Sequence, residues 1–238
     1  MPTAILIDGA YFVKRFQAIE PHNAHNATRA VEWAHRRACA YLTRRQGRGG
    51  RQIPRTALDI IERKGESCIV SSDCPPLDKK MQNPVSKKAV DFGKSAEARF
   101  RLALHEELRE KRKVALIACH LSAHTQRTIK LHKVTELLAG KIQMSDLGED
   151  DVTIDIRQKG VDMRIGVDVS SLAFKKQVDQ IILIAGDADF VPAAKKARRE
   201  GIDFVLDPMW QNLPPNLNEH IDGLRPTCPQ PARRQRQE

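Results

Sequence analysis

The chain has 238 residues, 41% of them apolar, enough for one sizeable core or a core with an insertion. Its 40 basic and 30 acidic side chains leave a net charge of +10, which serves solubility and also suits a polyanionic partner, most often nucleic acid. The five cysteines (Cys39, Cys68, Cys74, Cys119, Cys228) are odd in number and lack CxxC spacing, which indicates neither a disulfide framework nor a structural zinc site, and no apolar run reaches the roughly 20 residues that span a bilayer.

In chain order, "AILID" (4–8) is a short apolar run ending in Asp8 and Gly9, the pattern of a buried strand. No basic, apolar and small-residue leader pattern opens "MPTAILIDGAYF", so the chain reads as a protein of a reducing compartment, the cytoplasm. Residues 26–46 place Val31, Ala34, Ala38, Tyr41 and Leu42 at helical spacing, and "GRGGR" (47–51) breaks that helix. "CIV" (68–70) reads as a second strand running toward Asp73, and the Pro- and Lys-rich 73–88 as a loop. Residues 95–113 form a helix from a Ser N-cap, 114–119 a strand, and 120–160 an irregular insertion. Helix 161–176, strand 179–185, helix 190–201 closed by Gly201 and strand 202–206 follow. A short helix is expected within 212–224, and a disordered basic tail over 225–238.

Alternating strands and helices argue for an α/β fold: a mostly parallel central sheet of about five strands with helices on both faces, a single domain over 1–224. Ligands of such sheets sit beyond the carboxyl ends of the strands. Asp8 ends the first strand, and Asp187 and Asp189 follow the strand at 179–185. Clustered carboxylates on one edge cost free energy that a divalent cation removes, and Mg²⁺ or Mn²⁺ takes such hard oxygen ligands. Asp162, at a helix start, is the fourth candidate, placed at the end of the core-facing side. Asp168 falls on the opposite face and reads as a solvated carboxylate. Each acid also has a structural alternative: Asp8 as a turn residue before Gly9, Asp187 and Asp189 as N-cap and first-turn acids.

Three blocks, "ILIDGAYF", "QKGVDMRIGVDVSSLA" and "VDQIILIAGDADFVPAAKKARREGIDFVLDP", resemble the NYN domains, PIN-like nuclease domains whose bacterial branch is also called LabA-like. The resemblance is strong over 158–208, clear at 4–12, and covers most of 1–224. It implies a Rossmann-like fold, an acidic pocket binding Mg²⁺ or Mn²⁺, and hydrolysis of RNA phosphodiesters. The positions matching the pocket are Asp8, Asp162, Asp187 and Asp189, as catalytic and metal-binding residues. Many members carry Asn three residues after the first Asp, where this chain has Tyr11. PIN-type sites often use a further acid, and Asp73 is placed to serve, or else to turn the chain before "CPP".

Basic segments are the candidates for holding RNA: Arg44, Arg45, Arg48 and Arg51, Lys79 and Lys80, and the run at 109–113, each also readable as a solvated face. Few aromatics interleave them, so base stacking is not signalled there. The expected function is a metal-dependent (endo)ribonuclease, a homo-oligomer remaining open. The competing reading is a catalytically weak or inactive RNA-binding regulator on the same fold. A haloacid-dehalogenase-type phosphatase needs a second Asp where the chain has Ala10, and no third ligand completes a zinc site from His120, His124 and His132.

Overall fold

β1 (Thr3–Asp8) is the centre of the architecture, and all five of its first residues are buried. The computed structural model describes residues 2–42, 68–121, 126–155 and 158–230. β1 pairs in parallel with β2 (Cys68–Asp73) on one side and with a late strand, β10 (Gln180–Ile184), on the other. β5 (Val114–Ala118) continues beyond β2, and β11 (Asp203–Asp207) and β12 (Gly223–Leu224) beyond β10. The six-stranded order is β12-β11-β10-β1-β2-β5, all parallel. The chain winds one way from β1 to β5 and the other from β10 to β12. The reversal puts a crevice beyond the carboxyl ends of β1 and β10, where open α/β sheets bind ligands.

Alternation along the strands separates two cores. Ile5, Ile7, Ile182, Ile184 and Val205 face α1 (Gly9–Ile19), α2 (Ala27–Leu42) and α3 (Ala96–Glu110), with Phe12, Phe16 and Trp33 packed ring to ring. Ala4, Leu6, Ile181, Leu183, Phe204 and Leu206 face α5 (Val161–Phe174) and α6 (Val191–Arg199). Strands buried on both faces read as unbroken apolar runs, which is why β1 and β10 are visible in the sequence. Two caps follow the expected chemistry: Ser95 Oγ accepts from Ala98 N at 3.1 Å, and Asn26 Oδ1 accepts from Arg29 N at 2.9 Å.

Several expectations are corrected. Helix α1, in a stretch where the sequence led to no expected element, follows β1 directly, and the helix expected to 113 ends at Glu110. Within the presumed loop 73–88 a hairpin begins: β3 (Lys80–Gln82) pairs with β4 (Ala89–Asp91). Asn83 Oδ1 closes its turn by accepting from Val85 N at 2.8 Å and Ser86 N at 3.2 Å, an Asx geometry that needs no hydrophobic period. The helix expected in 212–224 is a single turn, α7 (Pro215–Asn218), followed by edge strand β12 on β11. The presumed tail is docked at its start. Arg225 N donates to Leu206 O at 2.9 Å, and Cys228 is buried with its carbonyl accepting from Trp210 Nε1 at 2.7 Å. Residues 231–238 lie outside the described residues. Within 120–160, β6 (His120–Leu121) pairs with β9 (Gln158–Lys159) and β7 (Gln126–Ile129) with β8 (Val152–Asp155), both antiparallel, and α4 (Leu131–Leu138) buries none of its residues.

Among the described residues no helix is long and apolar enough to cross a membrane.

Candidate active site

The site is built on strand ends. Asp8 terminates β1 level with Ser72 of β2 and caps α1, its Oδ1 accepting from Tyr11 N at 3.1 Å. Burial pushes its carboxyl up to about 6, against the Tyr11 amide bond, with further repulsion from Asp162 and Asp73. The residue after it must be glycine. A Cβ on Gly9 would stand 2.5 Å from the Asp73 Cβ and 3.0 Å from the Ser72 carbonyl oxygen. Gly9→Ala is therefore expected to cost about 1–3 kcal/mol through overpacking, measured as a lower denaturation midpoint at unchanged m-value.

Asp162 lies in the first turn of α5, after left-handed Gly160 (φ 85°). The helix buries Val161, Ile165, Val169 and Ala173, and Asp162 flanks that stripe as an exposed residue rather than pointing along it. Partial desolvation raises its carboxyl, and the negative charges of Asp187 and Asp189 raise it further. Asp187 caps the 3₁₀ turn Ala188–Phe190, its Oδ1 accepting from Asp189 N at 3.1 Å, so the capping alternative describes it correctly. Asp187 and Asp189 are both exposed. Their repulsion on Asp162, and that of Asp162 on Asp8, link the four pocket candidates electrostatically.

Asp73 is 1% exposed, and both its oxygens are engaged. Oδ1 is 2.5 Å from Arg101 Nη2 and Oδ2 is 2.7 Å from His105 Nε2. This carboxylate repels Asp8 from a fixed, buried position at the end of the neighbouring strand β2 rather than lining open space. Arg101 and His105 carried no advance sign of this role. Their i, i+4 spacing puts them on one face of α3, but what that face meets lies 28 and 32 residues back along the chain.

Tyr11 is committed elsewhere. Its hydroxyl donates to Pro208 O at 2.6 Å, its ring lies on Gly186, and burial raises its pKa well above the ordinary range. A Cβ on Gly186 would be 2.6 Å from that ring. The tie continues through Arg15, whose Nη2 donates to Met209 O at 2.7 Å, and through Asp207 Oδ1, which accepts from Met209 N at 2.7 Å. These bonds hold Met209 and Trp210 at φ 46° and 64°, a left-handed pair beside the crevice.

Asp168 differs from its expected solvated state. It is half-buried, its Oδ2 has no hydrogen-bond partner, and burial raises its carboxyl while Arg164 opposes the rise. It also raises the Cys68 thiol, which places it toward the start of β2, away from the acidic edge. Of the basic candidates, Arg44, Arg45, Arg48 and Arg51 lie outside the described residues. Lys79 and Lys80 sit at the β3–β4 hairpin, with Lys80 Nζ 3.9 Å from Asp91.

The donor set is hard carboxylate oxygen, suited to Mg²⁺ or Mn²⁺ in chemistry. Among the described residues, however, no three His, Cys, Asp or Glu side chains stand together closely enough to hold a metal ion. The four acids form an open row, not a closed cage. The raised Asp8 carboxyl has a consequence for stability. Between its ordinary 3.8 and about 6 the folded state binds the extra proton, so stability falls as pH rises through that window. Asp8→Asn keeps the cap and removes this cost. In EDTA it is expected to be more stable than the parent at pH 7, by at most about 3 kcal/mol at 1.36 kcal/mol per pH unit, and no more stable below pH 4. Urea midpoints at the two pH values check this.

The NYN domain family model matches residues 97–211. An uncharacterised protein of Methanocaldococcus jannaschii is 28% identical over 112 residues, or 39% of this chain and 47% of that protein. The chain therefore spans about half the length of that relative. The crystal structure of a protein of unknown function from Vibrio parahaemolyticus aligns over 97% of this chain and 94% of its own, at 12% identity and a TM-score of 0.44.

Proposed function

From a chain that carries an NYN domain, a domain of the PIN-like nuclease superfamily, over residues 97–211, we propose a divalent-metal-dependent ribonuclease that hydrolyses RNA phosphodiester bonds at the crevice beyond β1 and β10. The observation that carries this reading is the linked row of acids. Asp8 is held at about 6 by burial and by the charges of Asp162 and Asp73, and Asp162 is raised in turn by Asp187 and Asp189. A row of mutually repelling carboxylates at a sheet's switch point costs stability, and a bound dication offsets that cost. Asp8, Asp162, Asp187 and Asp189 are the residues that would hold Mg²⁺ or Mn²⁺. Such an ion supplies a water of lowered pKa and neutralises charge on the phosphate.

The protein's own part is positional. Tyr11 N fixes the Asp8 carboxylate, and the Asp189 amide fixes that of Asp187. Asp73, clamped by Arg101 and His105 at the end of β2, keeps a second negative charge beside Asp8. The net charge of +10 draws the polyanion to the surface. Hydrolysis leaves a 5′-phosphate and a 3′-hydroxyl.

A second reading, an RNA-binding regulator with weak or no catalysis, is favoured by two observations. The described residues include no closed three-ligand cluster, and the Tyr11 hydroxyl bonds Pro208 O. The two readings separate on end-labelled single-stranded RNA incubated with Mn²⁺, Mg²⁺ or EDTA. Cleavage with either metal and none in EDTA supports the nuclease. RNA retention with no cleavage in any condition supports the regulator.

A further inference from the structure

An open groove of about 870 Å³ runs between α5 and α6, and two members of the acidic row stand at its mouth. Asp162 and Asp189 line one end. Along the groove stand Met163, Val167 and Phe174 of α5, facing Pro192 and Lys196 of α6. Met163, Val167 and Phe174 are 71%, 57% and 72% exposed, large apolar groups on a surface where burial was available to their neighbours. Their spacing of four and seven residues aligns them along one side of the helix. Lys175 and Lys196 close the far end. Lys196 Nζ lies 5.8 Å over the Phe174 ring and bonds Glu200 Oε1 at 2.5 Å. Gly166 leaves the middle open, since a Cβ there would meet nothing within 4 Å.

We propose that this groove is the track for single-stranded RNA on its way to the acidic site, with a base stacked on Phe174 and a backbone phosphate beside Lys175. The assignment rests on the ribonuclease reading above and names where that substrate lies. Three features select an RNA strand. The groove is continuous with the site at Asp162 and Asp189. Its charge runs from carboxylate at the mouth to ammonium at the far end, so a scissile phosphate meets the acidic row and a distal phosphate meets lysine. Between them lie aromatic and thioether faces, which accept any base by stacking and so need no base-specific hydrogen bonds. From Asp162 to Phe174 the helix rises about 18 Å at 1.5 Å per residue, the length of about five nucleotides stacked at 3.4 Å. The aromatic platform is thus a single exposed ring on the helix that carries Asp162, not part of the basic runs at 44–51 and 79–80.

The test is equilibrium binding of a fluorescein-labelled single-stranded RNA of about ten nucleotides to the full chain in EDTA, where no cleavage interferes. The variants are Phe174→Ala, which removes an exposed ring, and Gly166→Leu, which fills open space on a helix that leucine favours. Circular dichroism confirms that both fold. Affinity is expected to fall about 5- to 150-fold in Phe174→Ala, the range for one lost base–aromatic stack. It should also fall in Gly166→Leu through blockage. Lys175→Ala should lower the slope of log affinity against log salt by about 0.7. RNA bound by both folded variants as tightly as by the parent overturns the track and leaves the ribonuclease reading standing. A parent that neither binds nor cuts RNA overturns both. A parent dimer in sedimentation that Phe174→Ala dissolves, with RNA affinity unchanged, assigns the groove to a second copy of the chain and overturns the proposal.

Discussion

Replacing Asp187 and Asp189 together by asparagine is expected to abolish metal-dependent RNA cleavage while leaving the fold and RNA retention intact. Both side chains are exposed, so their substitution removes no core packing. Asparagine still accepts at Oδ1, which keeps the cap that Asp187 makes to Asp189 N. What disappears is charge: the two carboxylates that repel Asp162 and would hold the dication. Losing several kcal/mol of metal-dependent transition-state stabilisation corresponds to a rate lower by about 10³ or more. Single-turnover cleavage of end-labelled RNA in Mn²⁺ measures it. The double variant should also lose the thermal stabilisation that Mn²⁺ gives the parent, a readout independent of activity. A variant that cuts RNA at the parental rate removes these aspartates from the chemistry.

The second large effect is on stability. Asp73→Ala is expected to cost about 3–5 kcal/mol, because it leaves the Arg101 and His105 side chains facing an uncompensated buried site. For a chain of this size that lowers the midpoint of thermal unfolding by about 6–20 °C. The magnitude follows from burial: the Asp73 side chain is 2% exposed, Arg101 11% and His105 4%, so solvent cannot replace the lost partner. The same variant distinguishes an anchor from a metal ligand. An anchor loses stability in EDTA and metal alike, whereas a ligand loses cleavage and metal-induced stabilisation at an unchanged midpoint in EDTA.

These two expectations fall on opposite sides of what a sequence can carry. Asp187 and Asp189 were visible because "DQIILIA" is apolar on both faces and ends abruptly in acid, and a doubly buried strand has no other way to read. Asp8 after "AILID" was visible for the same reason. Asp73 was visible as an acid at a strand end, but its role was not, because Arg101 and His105 reach it from a helix more than 25 residues away. The reason for Gly9 was equally hidden. It is a steric contact with the neighbouring strand, and only strand order brings Asp73 beside it. Tyr11 shows the same limit: its position in the chain points at the acidic row, while its hydroxyl bonds Pro208, 197 residues further on.

Local chemistry by itself determined the alternation of strands and helices, the parallel sheet and the caps at Asn26 and Ser95. Each rests on a hydrophobic period or a side-chain bond within a few residues, and such interactions are written in neighbouring positions. Tertiary structure alone decided the edge strand Gly223–Leu224, the docking of residues 225–228 against α2 and β11, the clamp on Asp73 and the groove beside α5. A two-residue strand has no period to detect. A groove is made of what two helices leave uncovered, and exposure of Met163, Val167 and Phe174 depends on how α5 and α6 cross, which no single helix encodes. Periodicity tells a chain which faces to bury, and packing then decides which apolar side chains are left facing water.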